Sequence, residues 1–209
     1  MKQTWKRVLL TGMLILALTA GAAATAFTDT AELQPWAKEA VDYVSAHGIM
    51  TGTTATTFKP NDFTDRATIA TIIWRLEEKP IGNITGTFSD VKLGQWYTDA
   101  VDWAAEEDII AGSNGKFYPT RAVTRQDLAV MLYRYAGMPP ADRTALEGFS
   151  DLDRAEDYAM DALSWAVDCG ILTGSDGVLM PANGATRVQV AAMFMRYLEA
   201  SEPSGTGEA

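Results

Sequence analysis

Residues 88–136 read FSDVKLGQWYTDAVDWAAEEDIIAGSNGKFYPTRAVTRQDLAVMLYRYA, and the landmarks of this stretch recur at two other places in the chain. The opening triplet Phe-Ser-Asp has counterparts at 27–29 and 149–151, a spacing of 61 residues. Each copy then continues in the same order with an aromatic residue, an alanine followed by valine or leucine, a glycine, a proline and an arginine. A fixed period of this kind indicates a repeat architecture in which each unit packs on its neighbours.

Each copy contains two stretches with the period of an amphipathic helix. In the middle copy, Trp96, Ala100 and Val101 share one face of the first stretch, and Leu128 and Met131 share one face of the second. The second stretch follows a residue that can cap a helix N-terminus, which is Asp65, Thr124 or Thr186. The sequence therefore predicts an all-α fold of three helix-loop-helix repeats.

The repeat divides the chain into regions. We predict copy 1 over 27–80, copy 2 over 88–138 and copy 3 over 149–200, with a disordered polar tail over 201–209. Linkers containing Pro80 and Gly82, and Pro139-Pro140, separate the copies. Gly48 and Gly170 predict the end of the first helix in copies 1 and 3, whereas Asp108 predicts a slightly different turn in copy 2.

Residues 1–26 have the pattern of a secretory signal peptide. Basic residues precede an apolar run from Val8 to Ala20, and the small residues Ala24-Thr25-Ala26 supply a cleavage site. The apolar run is too short for a membrane span, which needs about 20 residues. We therefore expect a secreted protein that begins near Phe27 and has no membrane span after cleavage.

Composition and single residues exclude several classes of function. The formal net charge is −10, and removing the three basic residues of the leader takes it to −13, so nucleic acid is a poor partner. The chain has no phosphate loop, nucleophile elbow or histidine-based metal motif. We predict no enzymatic activity, no cofactor and no metal site. Cys169, the one cysteine, lies between Val167 and Ile171 in a helical pattern and is expected to be buried, as are Trp74, Trp103 and Trp165.

Copy 2 resembles the S-layer homology domain through its motifs FSDV, WYTDAV, FYP and VTRQD, and copy 3 is similar through FSDL and ATRVQ. The likeness extends over three copies. The resemblance implies three tandem modules with pseudo-threefold symmetry that sit at the bacterial cell surface. It also implies binding of secondary cell-wall polysaccharide, often carrying pyruvate ketals, in grooves between neighbouring modules.

The family's motif positions map onto nine residues, which we predict to bind glycan. They are the arginines, aromatic residues and opening aspartates of the three copies: Arg66, Arg125 and Arg187; Trp36, Trp96 and Tyr158; Asp29, Asp90 and Asp151. A pyruvate ketal is a carboxylate on a sugar, and an arginine at a helix N-terminus offers two charge-assisted hydrogen bonds to it. A flat aromatic ring can cover an apolar sugar face. This hypothesis needs the guanidinium groups to lie exposed in the clefts.

Copy 1 departs most from the family pattern. Asp65 directly precedes Arg66, where it could pair with the arginine and weaken its hold on an anion. Copy 3 has Tyr158 in place of tryptophan and Gln189 in place of the acid that Asp127 supplies in copy 2. Copy 2 is therefore the strongest candidate for a working groove.

The resulting prediction is non-covalent anchoring to the bacterial cell wall through a secondary polysaccharide. The alternative is a surface-layer or adhesion subunit that acts mainly through contacts with other surface proteins or with itself. Purely structural salt bridges are an alternative role for the arginines, and core burial is an alternative for Trp36 and Trp96.

Overall fold

The described part of the chain contains six α-helices, one pair in each copy. The computed structural model describes residues 27–82 and 86–201, so the predicted leader and nearly all of the predicted tail lie outside the described residues. The helices are α1 (Pro35–Ala46), α2 (Arg66–Leu76), α3 (Thr98–Glu106), α4 (Arg125–Tyr135), α5 (Met160–Asp168) and α6 (Arg187–Ser201). Within the described residues the only β structure is isolated bridges. The predicted all-α fold is confirmed.

Short 3₁₀ turns complete copy 3 and the linker before it, at Arg143–Leu146, Leu152–Arg154 and Asp157–Ala159. In the part of the chain that the structure describes, no helix is long and apolar enough to cross a membrane.

The second helix of each copy begins where the sequence predicts. The Asp65 carboxylate accepts a hydrogen bond from the Thr68 amide at 2.8 Å, and the Thr124 hydroxyl accepts from the Asp127 amide at 3.1 Å. Each bond satisfies a free N–H of the first helical turn. In copy 3 the bond runs the other way, from the Thr186 amide to Gln189 Oε1 at 3.0 Å.

The first helix of each copy ends in the same left-handed turn. The φ angles are +66° at Gly48, +58° at Asp108 and +68° at Gly170. The prediction of a different turn at Asp108 is therefore wrong. The turn is fixed by bonds that return the chain to the helix, such as Met50 N–H to the Val44 carbonyl, and their equivalents force an aspartate into the glycine conformation in copy 2.

Each second helix packs on the first helix of the next copy, and the last packs on the first. The contacts join α2 to α3, α4 to α5, and α6 to α1. Phe58, Phe117 and Leu179 are fully buried at equivalent positions in the three copies. The core therefore runs continuously between the copies rather than lying inside each one.

Three backbone hydrogen bonds close a ring through all three copies. Val123 N–H donates to the Thr64 carbonyl at 2.8 Å, Ala185 N–H to the Val123 carbonyl at 2.8 Å, and Thr64 N–H to the Ala185 carbonyl at 3.1 Å. This order of contacts is compatible with the predicted pseudo-threefold arrangement, although the symmetry itself stays a prediction.

Two expectations about single side chains have different outcomes. Trp103 and Trp165 are buried as predicted, and Trp74 is partly buried, with its indole N–H donating to the Pro80 carbonyl at 2.9 Å. Cys169 is exposed, so its predicted burial is wrong. The reason is that α5 ends at Asp168, so Cys169 caps the helix and does not continue its buried face.

Candidate functional site

The three motif arginines occupy the first positions of α2, α4 and α6, and each binds two backbone carbonyls of another copy. Their Nε atoms donate at 2.7–3.0 Å and their Nη2 atoms at 2.7–2.9 Å. The acceptors are Phe117 and Ala111 for Arg66, Leu179 and Thr173 for Arg125, and Phe58 and Thr51 for Arg187. Each arginine therefore fastens the second helix of one copy to a loop of the next.

Arg66 and Arg125 are each only 6 % exposed, and Arg187 is partly buried. The expectation that the guanidinium groups lie exposed in clefts is therefore wrong for Arg66 and Arg125. The physical reason is that loop carbonyls at the interface need donors, and a guanidinium fork supplies two in the required geometry. Burial lowers the pKa of all three arginines, and the carboxylate of Asp127 partly opposes this for Arg66. A contact between these arginines and glycan stays a prediction.

The opening aspartates also hold loops in place. Asp90 accepts from the Phe117 and Tyr118 amides, both at 2.8 Å. Asp29 and Asp151 bind the equivalent amide pairs of their own copies at 2.7–2.9 Å. Burial raises the pKa of Asp29, but backbone N–H bonds and the charge of Arg187 together outweigh it, and the net pKa is lowered. These carboxylates stabilise the left-handed residues that follow the buried Phe or Leu, and direct contact with glycan again stays a prediction.

The three aromatic residues predicted to cover sugar lie on the surface. Trp36 is 45 % exposed, and Trp96 and Tyr158 are each 60 % exposed. The alternative prediction of core burial is therefore wrong for both tryptophans. Trp96 also packs edge-on against Tyr97, with ring centroids 5.2 Å apart.

Asp127 joins residues from all three copies. Its Oδ1 accepts from the Tyr158 hydroxyl at 2.7 Å, and its Oδ2 lies 3.4 Å from Arg66 Nη1 and 3.4 Å from Arg121 Nη2. Burial and the bond to Asp127 raise the pKa of Tyr158 to about 12. The acid that pairs with Arg66 is therefore Asp127, whereas Asp65 caps α2.

An open groove of 570 Å³ lies beside this junction in copy 2. Its lining residues include Asp90, Lys92, Gln95, Tyr97, Tyr118 and Arg121. The Arg121 guanidinium lies 5.4 Å from the centre of the Tyr118 ring. Lys92, Tyr118 and Arg121 were not among the predicted site residues because they fall at positions where the copies differ, and that divergence is the signal that could have found them.

Comparison with known proteins finds a similarity to one family in two parts of the chain. The model of the S-layer homology domain matches residues 26–70 and 87–129, so these two segments are similar to that domain. S-layer homology domains anchor surface proteins to the cell wall, and the match indicates a location at the cell surface.

The similar proteins include enzymes and surface-layer proteins. Amylopullulanase of Thermoanaerobacterium thermosulfurigenes is 31% identical over 170 residues, which are 79% of this chain. Exoglucanase XynX of Acetivibrio thermocellus is 29% identical over 170 residues, also 79% of this chain. The surface-layer 125 kDa protein of Lysinibacillus sphaericus is 31% identical over 190 residues, 85% of this chain. The chain spans 9%, 16% and 15% of these three proteins, so the enzymes' activities do not carry over to it.

Proposed function

We propose that this chain holds a protein non-covalently on the bacterial cell wall by binding a secondary polysaccharide, pyruvylated on its sugars, where one copy meets the next. We also propose that copy 3 is a third S-layer homology repeat. The proposal treats the chain as a binding module and not as an enzyme.

Equivalent bonds in all three copies support the third repeat. Arg187 binds two carbonyls just as Arg66 and Arg125 do. Asp151 binds two loop amides just as Asp29 and Asp90 do. The same residues therefore perform the same local role in copy 3, although the matched family sequence ends at residue 129.

The observation that carries the glycan proposal is the exposure of an aromatic ring at the start of every first helix. Large aromatic residues usually bury most of their surface, yet Trp36, Trp96 and Tyr158 are 45–60 % exposed. Tyr158 also bonds across a copy junction to Asp127. Such rings offer an apolar face to a sugar and a polar edge to its hydroxyl groups.

The nine predicted site residues then divide into two groups. The three aromatic residues contact the sugar directly. The arginines and opening aspartates act mainly by ordering the loops, with Arg187, the more exposed arginine, the best placed of the three to reach a ligand through Nη1.

Retention on purified cell wall tests the proposal. We expect the chain to sediment with intact wall and to remain in solution with wall that has lost its secondary polymer. Removing pyruvate alone should weaken retention. Equal retention on intact and stripped wall would contradict the proposal, and concentration-dependent assembly without polysaccharide would favour the alternative role in a surface lattice.

Aromatic variants sharpen the test. Replacing Trp36 and Trp96 together by alanine should strongly weaken retention while circular dichroism stays unchanged, because both rings lie on the surface. Tyr158 is left in place because its hydroxyl donates to Asp127 across a copy junction. Met138→Ala is the control, since Met138 is a large apolar residue of similar exposure, 61 %, in the linker after α4.

A further inference from the structure

The groove of copy 2 has a positive lining on an acidic protein. Lys92 and Arg121 line it, and Asp90 is the one acid among the lining residues. Both oxygens of Asp90 accept backbone N–H bonds, so this carboxylate is already engaged, and two cations face one acid in the lining. The formal net charge of the chain is −10, so this groove is a local exception. Screening over about 8 Å at physiological salt lets such a local charge act on a bound anion.

Arg121 has binding capacity that the fold does not use. Its side chain is 56 % exposed, and its one hydrogen-bond partner within residues 27–82 and 86–201 is Asp127, at 3.4 Å. Asp127 also faces Arg66 at the same distance, so one carboxylate serves two guanidinium groups. The junction therefore keeps an excess positive charge, and Arg121 is the exposed member of the pair.

The backbone on both sides of the groove is held firmly. The Thr98 hydroxyl donates to the Lys92 carbonyl at 2.7 Å and accepts from the Gln95 amide at 3.0 Å. Across the groove, Arg121 N–H donates to the Tyr118 carbonyl at 3.1 Å. A site whose loops are ordered in advance loses less entropy when a ligand binds.

The other copies lack this cation although their backbone is the same. Asp62 and Asn183 occupy the position of Arg121, and each donates its N–H to the residue three places earlier at 3.2 Å. The carbonyls of all three residues accept from the backbone N–H of the motif arginine of another copy, at 2.8–3.0 Å. The turn therefore forms with Asp, Arg or Asn at this position. The Arg121 side chain is not needed for the turn and is available to bind a ligand.

From this geometry we infer that the groove of copy 2 is the site that recognises a carboxylate on the sugar, with Arg121 as its specificity-determining residue. Arg121 donates to the carboxylate in place of its long contact with Asp127, and Lys92 adds a second charge. Tyr118 and Tyr97 pack against the apolar part of the sugar. The inference rests on the proposed function and narrows it, since copy 2 selects acidic sugar while the other copies bind through their aromatic rings.

Calorimetric titration of the full chain with two polymer probes tests the inference. The probes are secondary polymer extracted from cell wall and the same polymer with its carboxylates reduced to alcohols. Arg121→Asn installs the residue that copy 3 already uses at this turn. We expect it to weaken binding of the native polymer by about tenfold to a hundredfold, because a hydrogen bond to a charged group contributes roughly 1.5–3 kcal/mol. Binding of the reduced polymer should be weak and unaffected by the substitution.

Arg143→Asn is the matched control because it removes the same charge elsewhere. Arg143 is 60 % exposed and bonds to Asp161 at 2.8 Å, outside the groove. Native affinity in the control, together with a loss in Arg121→Asn that shrinks at high salt, supports the inference. If both variants weaken binding equally, or if reduced and native polymer bind wild type equally well, the inference fails while polymer binding stands. If wild type binds neither probe, the proposed function fails as well.

Discussion

Arg121 and Arg125 lie four residues apart in the same loop-to-helix segment and serve opposite purposes. Arg125 is 6 % exposed, and its guanidinium binds the carbonyls of Leu179 and Thr173. Arg121 is 56 % exposed, lines a groove and has one long contact with a carboxylate. The difference between them follows the repeat, because Arg125 has an arginine counterpart in both other copies and Arg121 has none. Among the arginines, repetition thus marks those that hold the copies together, and divergence marks the one available for recognition.

Removing the buried arginine should have the largest effect on stability. Arg125→Ala leaves two interface carbonyls without donors, and each unsatisfied buried group costs about 1–3 kcal/mol. We therefore expect a loss of roughly 2–5 kcal/mol in the free energy of unfolding, measured by urea denaturation. Arg125→Lys should lie between wild type and alanine, because an ammonium lacks the planar fork. A loss below about 1 kcal/mol for Arg125→Ala would remove the contrast with Arg121.

Gly52 and Gly174 occupy equivalent positions in copies 1 and 3, and adding a methyl group at either should have the next largest effect on the free energy of unfolding. A Cβ at Gly174 would lie 2.5 Å from both the Phe149 ring and the Val178 carbonyl, and one at Gly52 would lie 2.5 Å from the Phe27 ring and the Thr54 carbonyl. Each glycine-to-alanine change should cost about 1–3 kcal/mol through overpacking.

Comparing the two variants in urea denaturation tests whether copy 3 is built like copy 1. Similar losses in the free energy of unfolding would support equivalent packing in copies 1 and 3. If Gly52→Ala destabilises the protein and Gly174→Ala does not, the two positions are not equivalent. Ser175→Ala, next to Gly174 on an exposed loop, controls for general sensitivity of that loop.

Introducing a glycine, in place of Asp108, should stabilise the protein. Asp108 holds a φ of +58° where copies 1 and 3 have glycine. Asp108→Gly removes the steric cost of the left-handed conformation, partly offset by the greater entropy of the unfolded chain, for an expected gain of about 0.5–1 kcal/mol. The midpoint of thermal unfolding measures it, and Gly48→Asp should shift that midpoint downward. A lower midpoint for Asp108→Gly would show that the aspartate side chain makes a compensating contact.

Of these substitutions, Arg121→Asn should change the free energy of unfolding least. The equivalent turns form with Asp62 and Asn183, so we expect a change within about 0.5 kcal/mol in urea denaturation. A loss comparable to that of Arg125→Ala would mean that Arg121 belongs to the scaffold, and would erase the comparison from which these predictions start.

Most of the scaffold could be predicted from the sequence because it depends on local and periodic signals. The capping residues Asp65 and Thr124 correctly located the starts of α2 and α4. The apolar period correctly identified two helices in each copy. Asp108 misled the prediction because a glycine preference was read as a requirement, whereas the hydrogen bonds of the turn determine the conformation.

The site was harder to predict because its contacts join distant parts of the chain. An arginine at the start of a helix can face solvent or a neighbouring loop, and only tertiary packing brings the Phe117 carbonyl within 3.0 Å of Arg66. The sequence left both exposure and core burial open for Trp36 and Trp96; the structure places both rings on the surface, and their contact with sugar stays a prediction. Arg121 was missed because a search for repetition discards the positions that differ.

The ring of bonds through Thr64, Val123 and Ala185 has a consequence for truncated chains. Each copy meets the next head to tail, a heterologous contact that must either close or grow into a filament. Here the series closes after three copies, because α6 of the last copy packs on α1 of the first. Neither end is left with an unpaired contact surface. A fragment that ends at residue 138 would leave α4 without α5 and α1 without α6. Its vacant surfaces would match those of other fragments, so it should polymerise or exchange segments between molecules rather than persist as a smaller monomer.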